Sequence, residues 1–562
     1  MRAGRLTLTW ALAGGPLVLL AAAPSSEMLF SDRTAAVGID FKHENSATSN
    51  KYLIETMGGG VALLDYDNDG RLDVFFTNGA KLEDPMPAGR RPDKSDPRFW
   101  NRLYHQKADG TFEDVTEKAG LSGAAQNRYG MGVAVGDYDN DGFPDLYVTN
   151  YDGNTLYHNN RDGTFTDVTA RAGVGSSGWS ASAGFFDYDN DGRLDLFVTR
   201  YVEWTFQTNG YCGEKKPGYR AYCHPDNYPP ITDVLYHNNG DGTFTDVSVK
   251  SGIAAAPGKG LGVAFADYDG DGYTDVFVAN DSVQEFLFHN NGNGTFTEVG
   301  LLVGVGFNED GKTFAGMGAD FADYDNDGRP DILVTDLSNE RYHLFRQGAD
   351  GSFQDATNGS GLGAATLAFS GWSTRLFDFD NDGWKDIFVA QGHVMDTIEK
   401  TAPNLRYLQP PLLLRNESGR FVRAAPGEAF QIDWAGRGAA VGDLDGDGRV
   451  DIVVSNVGQR AVVLHNEAVG AGHWLGIRTV GTRSNRDGIG SRVKVVAVSG
   501  ATQYFTVSPA AGYLSASDKQ LRVGLGSSDR AALIEIRWPS GTVQKLLDVA
   551  AGQTVVATEA GP

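Results

Sequence analysis

Apolar residues in this chain come in short runs that alternate or are β-branched, cut every few positions by Gly, Asn and Asp. That is the pattern of strands joined by tight turns, not of helices. One stretch shows the grammar. A strand of small residues, Met131–Gly136, enters an Asp-rich loop, and a second strand, Asp145–Thr149, leaves it. A third strand, Thr155–His158, and a turn at Asn160–Gly163 lead to a fourth strand, Thr164–Val168. Four antiparallel strands in chain order make one sheet of the kind that propellers repeat around an axis.

The unit recurs. The string D-x-D-x-D-G-x-x-D occurs seven times, first at Asp65, Asp67, Asp69 and Asp73, then at Asp137, Asp139, Asp141 and Asp145. The third is Asp187, Asp189, Asp191 and Asp195, and the fourth Asp267, Asp269, Asp271 and Asp275. Asp323, Asp325, Asp327 and Asp331 follow, then Asp378, Asp380, Asp382 and Asp386, and last Asp443, Asp445, Asp447 and Asp451. Spacings of 72, 50, 80, 56, 55 and 65 residues predict one unit with insertions of variable length. The predicted fold is all-β: a seven-bladed β-propeller over residues 24–467 and a small β-rich C-terminal domain over 468–562. The small residues before each loop place that strand innermost, where space is tightest. The seventh unit lacks a fourth strand, and Met28–Gly38 resembles Thr111–Gly120, the fourth-strand segment of the first unit. The N-terminal strand is therefore predicted to complete the last blade and remove its open edge.

Strand alternation puts the Asp loops on one face. The insertions at 81–100, 201–233 and 392–411 lie on the other, where variable loops are suited to binding. Aromatic side chains on those insertions (Trp100, Trp204, Tyr211, Tyr219, Tyr222, Tyr228) are candidate contact surface, with packing onto the blades as the alternative. Trp179, Trp372 and Trp434 precede innermost strands and are predicted at the channel mouth.

Three short carboxylates at loop positions 1, 3 and 5, a Gly at 6 for the turn and an Asp at 9 suit Ca²⁺, a hard cation taking six to eight oxygens. An EF-hand would need Glu at position 12, where this chain has Phe76, Val148, Val198, Val278, Val334, Val389 and Val454. Mg²⁺ seldom accepts an all-protein carboxylate cage. Plain Asp-Gly turns would leave four carboxylates repelling one another. The net charge of −24 argues against nucleic acid or an anionic membrane surface. Up to seven Ca²⁺ would bring it to about −10, an ordinary value.

Residues 1–23 read as a signal peptide, with Arg2 and Arg5 before the apolar run Leu6–Leu20 and small residues Ala21–Ala23; an uncleaved anchor is the alternative. No second run is long enough to span a bilayer, so a secreted, periplasmic or cell-surface protein is expected. Cys212 and Cys223 are the only cysteines and are expected to form a disulfide in an oxidising compartment.

The seven units resemble FG-GAP/VCBS repeats, the blade type of the integrin α-subunit propeller. His473–Leu475, Gly481–Gly490, Gly512–Ser515, Gly524–Gly526 and Trp538–Gly541 resemble the ASPIC/UnbV domain. Together these cover nearly all of residues 24–562 and resemble the cartilage acidic protein family and its bacterial relatives. The resemblance implies extracellular or cell-surface interaction with calcium holding the blades, and a link of some bacterial relatives to natural-product pathways. Five units carry a His in strand three (His105, His158, His237, His289, His465), where the other two have Arg346 and Arg415. Local bonding accounts for these better than a ring of metal ligands. No nucleophile elbow, P-loop or zinc helix is present. The sequence therefore points to a scaffold binding a protein or glycan on its insertion face, used in adhesion. The alternative is an exported enzyme acting on a polysaccharide or secondary metabolite at the channel mouth. Deleting residues 24–45 is expected to cause aggregation or unfolding; a soluble chain with an unchanged melting curve would refute closure by the N-terminal strand.

Overall fold

The computed structural model describes residues 29–561; the signal-peptide reading of 1–23 lies outside them. The described residues are all-β, with helices of at most five residues among them. Each Asp-loop unit forms one four-stranded antiparallel sheet, as in Tyr129–Gly136, Asp145–Tyr151, Thr155–Asn159 and Phe165–Asp167. The last such sheet contains Gly436–Gly442, Asp451–Asn456 and Val462–Asn466, and its fourth strand is Phe30–Asp32 from the start of the chain. Phe30 pairs with Asn466 and Asp32 with Leu464, and Arg33 reaches Glu467 beyond them at 2.6 Å.

The sheets stand side by side in a propeller-like array, each sharing an apolar layer with the next. Leu64, Phe75 and Leu103 of the first pack on Val133, Leu146 and Val148 of the second. Ala440, Val453 and Val463 of the seventh pack in turn on Val61, Leu63 and Val74 of the first. Hydrogen bonds follow the same circuit. The last residue of strand three is Asn or Gln in every unit, and its side-chain amide donates to the carbonyl at loop position 2 of the preceding sheet. Asn159 bonds Tyr66, Asn238 bonds Tyr138 and Asn290 bonds Tyr188, at 2.7–2.8 Å. Gln347, Asn416 and Asn466 bond Tyr268, Tyr324 and Phe379, each at 2.8 Å. Gln106 of the first sheet donates to Leu444 of the seventh at 2.7 Å.

Residues 473–558 form two further sheets over their own apolar layer, which includes Ile477, Val495, Ile534 and Trp538. They lie on the Asp-loop face and send residues 508–518 along the axis between the innermost strands. Ala516 exchanges backbone hydrogen bonds with Val61 and Leu63, each 3.0 Å, and Val133 donates to Leu514 at 3.1 Å. Ala319 and Gly512 bond each other, Asp518 donates to Val441, and Leu514 and Tyr513 donate to the hydroxyls of Ser182 and Ser373. Small residues on the innermost strands make room for this segment. A Cβ at Gly132 would come within 3.0 Å of the Leu514 Cα, and one at Gly262 within 2.8 Å of the Gly512 oxygen.

Tyr513 of the segment is 1% exposed, its hydroxyl donating to the Met57 carbonyl at 2.6 Å and its ring 4.9 Å from that of Trp372. Tyr513→Ala is expected to lower the unfolding free energy by about 3–5 kcal/mol, the range for large aromatic truncations in packed cores. Denaturant melts measure this, and an unchanged midpoint would mean that the axial segment is not part of the cooperative fold.

Candidate metal centres in the repeat loops

Each loop is built by its own carboxylates before any ion is considered. In six loops the position-1 aspartate accepts the N–H groups of positions 5 and 6, as Asp137 does from Asp141 at 2.9 Å and Gly142 at 2.7 Å; in the fourth, Asp267 accepts those of Gly270 and Gly272. Position 6 is a Gly at φ 85–95° in all seven loops. Position 4 is also left-handed, with Asn at φ 57–59° in five loops and Gly270 and Gly446 at 79° and 76° in the others. Asn and Gly are the residues that tolerate that conformation.

The position-9 aspartate is 0–1% exposed in all seven loops. One of its oxygens accepts the position-2 N–H; the other accepts the N–H of the strand-three Asn or Gln. In Asp145 these bonds come from Tyr138 at 3.2 Å and Asn159 at 2.8 Å. The carboxylate thus ties the loop to two strands. Position 3 differs, since Oδ1 of Asp67, Asp189, Asp325 and Asp380 is buried with no hydrogen-bond partner. A buried carboxylate oxygen left unpaired is costly and calls for a cation.

The strand-three histidines close on these loops. His105, His158, His237, His289 and His465 lie 3.1–3.3 Å from the position-9 carboxylates of their own sheets. In all five sheets the position-3 and position-5 aspartates and the histidine bring ligand atoms within 4.8 Å of one another, a grouping able to hold a metal ion. In the remaining two sheets an arginine stands in the histidine's place: Arg346 pairs with Asp325 and Asp327, and Arg415 with Asp380 at 2.7 Å. The histidines bond locally, as the sequence suggested, but at the edge of the loops themselves. Their recurrence in five units was the available signal. The all-oxygen donor set of the aspartates suits a hard cation, with position 3 contributing the free oxygen.

Burial, reinforced by neighbouring aspartates, pushes Asp73 and Asp331 up to about 8, Asp145 and Asp275 to about 7 and Asp195 to about 6. The C-terminal sheets dock on the same loops. The Asp487 carboxylate accepts the Asp137 N–H at 3.0 Å, the Asn140 side-chain oxygen accepts from Arg486 N–H at 2.7 Å, and Arg522 pairs with Asp443 at 3.0 Å. A cleft of about 670 Å³ opens between the first and seventh loops and these sheets, lined by Asp65, Gly446, Trp474, Arg478 and Lys519 among others.

The opposite face departs from expectation. Trp179 and Trp372 do not rim an open channel mouth; both are 1% exposed, in a core cluster with Tyr52, Tyr201 and Tyr513. Trp434 is buried between the sixth and seventh sheets. Trp204, Tyr222 and Tyr228 are buried as well, Trp100 and Tyr219 are half-buried, and Tyr211 alone of the six is exposed, at 47%. Cys212 and Cys223 are joined, with Cα atoms 5.2 Å apart, in the 201–233 insertion.

These repeats define the class. The chain belongs to the FG-GAP repeat proteins: the FG-GAP-like repeat family matches residues 65–148, 137–198, 226–278, 267–334 and 323–389. The ASPIC and UnbV family matches residues 481–562. Among characterised proteins the chain is similar to cartilage acidic protein 1 of Xenopus tropicalis (24% identity over 531 residues) and of Homo sapiens (24% over 518). Each alignment covers 86% of this chain, with 70% and 69% of those relatives. Similar solved structures include an Agrocybe aegerita lectin recognising non-reducing terminal N-acetylglucosamine, with 16% identity, TM-score 0.39 and coverage of 65% of this chain and 79% of that one. YCF48 bound to D1 peptide gives 7% identity and TM-score 0.38, covering 74% and 94%.

The raised carboxylates have a consequence with a definite sign. Without metal, the folded state holds protons on groups that the unfolded chain releases near pH 4, so stability falls as pH rises from about 4 to 8. The melting temperature in EDTA should therefore drop between pH 5 and 8, while in Ca²⁺ it should hold or rise, so that the gap widens with pH. A gap that stays constant, or a melt indifferent to EDTA, would remove the cation from the loops.

Proposed function

We propose that the seven sheets close into a seven-bladed propeller over residues 24–467, bearing an ASPIC/UnbV domain over 468–562, and that Ca²⁺ occupies the Asp loops. The cyclic sharing of apolar layers and the circuit of Asn and Gln bonds support closure. The unpaired position-3 oxygens support a cation. Ca²⁺ is structural here. Export is supported by the leader-like start and by a disulfide of the sort that persists outside the reducing cytosol. Among the described residues no helix is long and apolar enough to cross a membrane.

The protein acts as a binding scaffold, docking a protein or glycan on its insertion face. The observation that carries this reading is the join between two insertions. Lys400 of 392–411 donates to the Gly218 carbonyl of 201–233 at 2.5 Å, and Tyr219 lies under Lys216 and beside Lys400 at 3.6 and 5.5 Å. Exposed Tyr211 stacks 5.1 Å from Arg220 on the same patch. Aromatic rings held by cations, on an otherwise acidic protein, form an amphipathic surface suited to a polar partner. Native extracellular material passed over the immobilised protein in Ca²⁺ should leave a partner that EDTA or Tyr211→Ala/Tyr219→Ala releases. A partner indifferent to both, or none retained, would move the function elsewhere.

A further inference from the structure

On the insertion side, away from the repeat loops, the fourth and fifth sheets bring together four carboxylates. Asp281 and Glu285 follow the second strand of the fourth sheet, Asp275–Asn280; Asp336 and Glu340 follow the corresponding strand of the fifth, Asp331–Val334. The strand between Asp275 and Asn280 puts this cluster roughly 17 Å from the fourth Asp loop. Glu285 and Asp336 are 0% exposed and Asp281 is 8% exposed. All of them gather on the backbone at Ala315 and Gly316. The Ala315 N–H is shared by Asp336 and Glu340, at 3.1 Å to each, and a Cβ on Gly316 would lie 2.6 and 2.7 Å from the two Glu285 oxygens. Asp281 is bridged to Ala315 by backbone pairing.

The donors within reach do not satisfy this set. Tyr201 and Ser282 hydroxyls serve Asp281, the Asn280 N–H serves one Glu285 oxygen at 2.7 Å, and the Leu337 N–H serves Asp336 Oδ1 at 2.6 Å. Glu285 Oε1 and Asp336 Oδ2 are left buried without a hydrogen-bond partner. The nearest cationic group is the His343 imidazole, 3.5 Å from Asp336 Oδ2 and 3.4 Å from Asp355, so one ring faces two carboxylates on its own sheet. Lys259 is taken by Asp226 at 2.9 Å.

We propose that Asp281, Glu285, Asp336 and Glu340 form a further cation site of the hard, oxygen-coordinated class, taking Ca²⁺, which joins the fourth and fifth sheets on the insertion face. The two unpaired oxygens supply inner ligands, and exposed Glu340 provides the approach from solvent. Ca²⁺ suits a mixed set of Asp and Glu oxygens at flexible geometry better than Mg²⁺ does. A proton shared between Glu285 and Asp336 is the other way to quiet such a pair, and it binds no metal.

The test uses the full chain stripped by chelator and re-equilibrated with Ca²⁺, with bound metal counted after gel filtration. Glu285→Gln/Asp336→Asn should bind one ion fewer than the parent and keep a Ca²⁺-dependent melt from the repeat loops. Asp139→Asn/Asp141→Asn serves as the comparison. A loss confined to that loop variant overturns this site and leaves the loop reading standing; a loss confined to the Glu285 variant does the reverse. Should the double variant fail to fold, Glu340→Gln, at an exposed position, should weaken one Ca²⁺ binding step at least tenfold by calorimetry. An unweakened profile, or a parent count unchanged in the double variant, overturns the proposal.

Discussion

A single buried carboxylate recurs at the junction on which each sheet depends. The position-9 aspartate starts the second strand, accepts the N–H that begins the loop and accepts the N–H that ends the third strand, as Asp145 does from Tyr138 and Asn159. A carboxylate so placed accepts bonds from two strands yet remains costly to bury in its ionised form, and the loop is shaped around both demands. The loop must wrap closely enough to spend its N–H groups on aspartates, so positions 4 and 6 take left-handed residues. The strand-three amide then has its backbone N–H committed inward, and its side chain is left to reach the neighbouring sheet. Local charge satisfaction and the joining of neighbouring sheets are in this way one set of bonds.

The C-terminal sheets complete what the repeats leave open. The small-residue strands that enter the Asp loops present backbone groups to the C-terminal region. Residues 508–518 run between them: Ala516 and Ser517 pair with backbone groups of Val61, Leu63 and Val441, while the Ser182 and Ser373 hydroxyls accept the N–H groups of Leu514 and Tyr513. Packing of Tyr513 against Met57 and Trp372 then links the loop face to the opposite face through the core. The C-terminal region is thereby a structural partner of every sheet.

What could be read from the sequence follows from the range of the interactions. The Asp loops, the four-strand grammar and the pairing of the N-terminal strand with the last sheet are local or periodic, and seven copies made them legible. The circuit of Asn and Gln side chains was periodic too, from Gln106 to Asn466, but its meaning depends on a neighbour about 80–100 positions away in most sheets. Gly512–Ser515 stood out as a motif, while its place on the axis is a tertiary fact with no local trace. Trp179 and Trp372 misled for a related reason: aromatic residues beside a small-residue strand look like a rim when the plug that buries them lies over 100 residues further on.

The repeats are not equivalent, and the differences fall at particular seams. Asn at position 4 donates to the position-6 carbonyl of the next loop in five cases, from Asn68 to Gly142 at 2.8 Å through Asn381 to Gly448 at 3.2 Å. Gly270 cannot, and there Arg492 of the C-terminal sheets bonds the Gly328 carbonyl at 2.9 Å in its place. Gly446 cannot either, and at that seam, between the last loop and the first, the cleft beside Trp474 and Arg478 opens. One missing side chain is replaced by a guanidinium, and the other coincides with a space. The register of the C-terminal sheets on the array is thus fixed by which repeats depart from the pattern, since a rotation by one sheet would set Arg492 against an Asn already bonded.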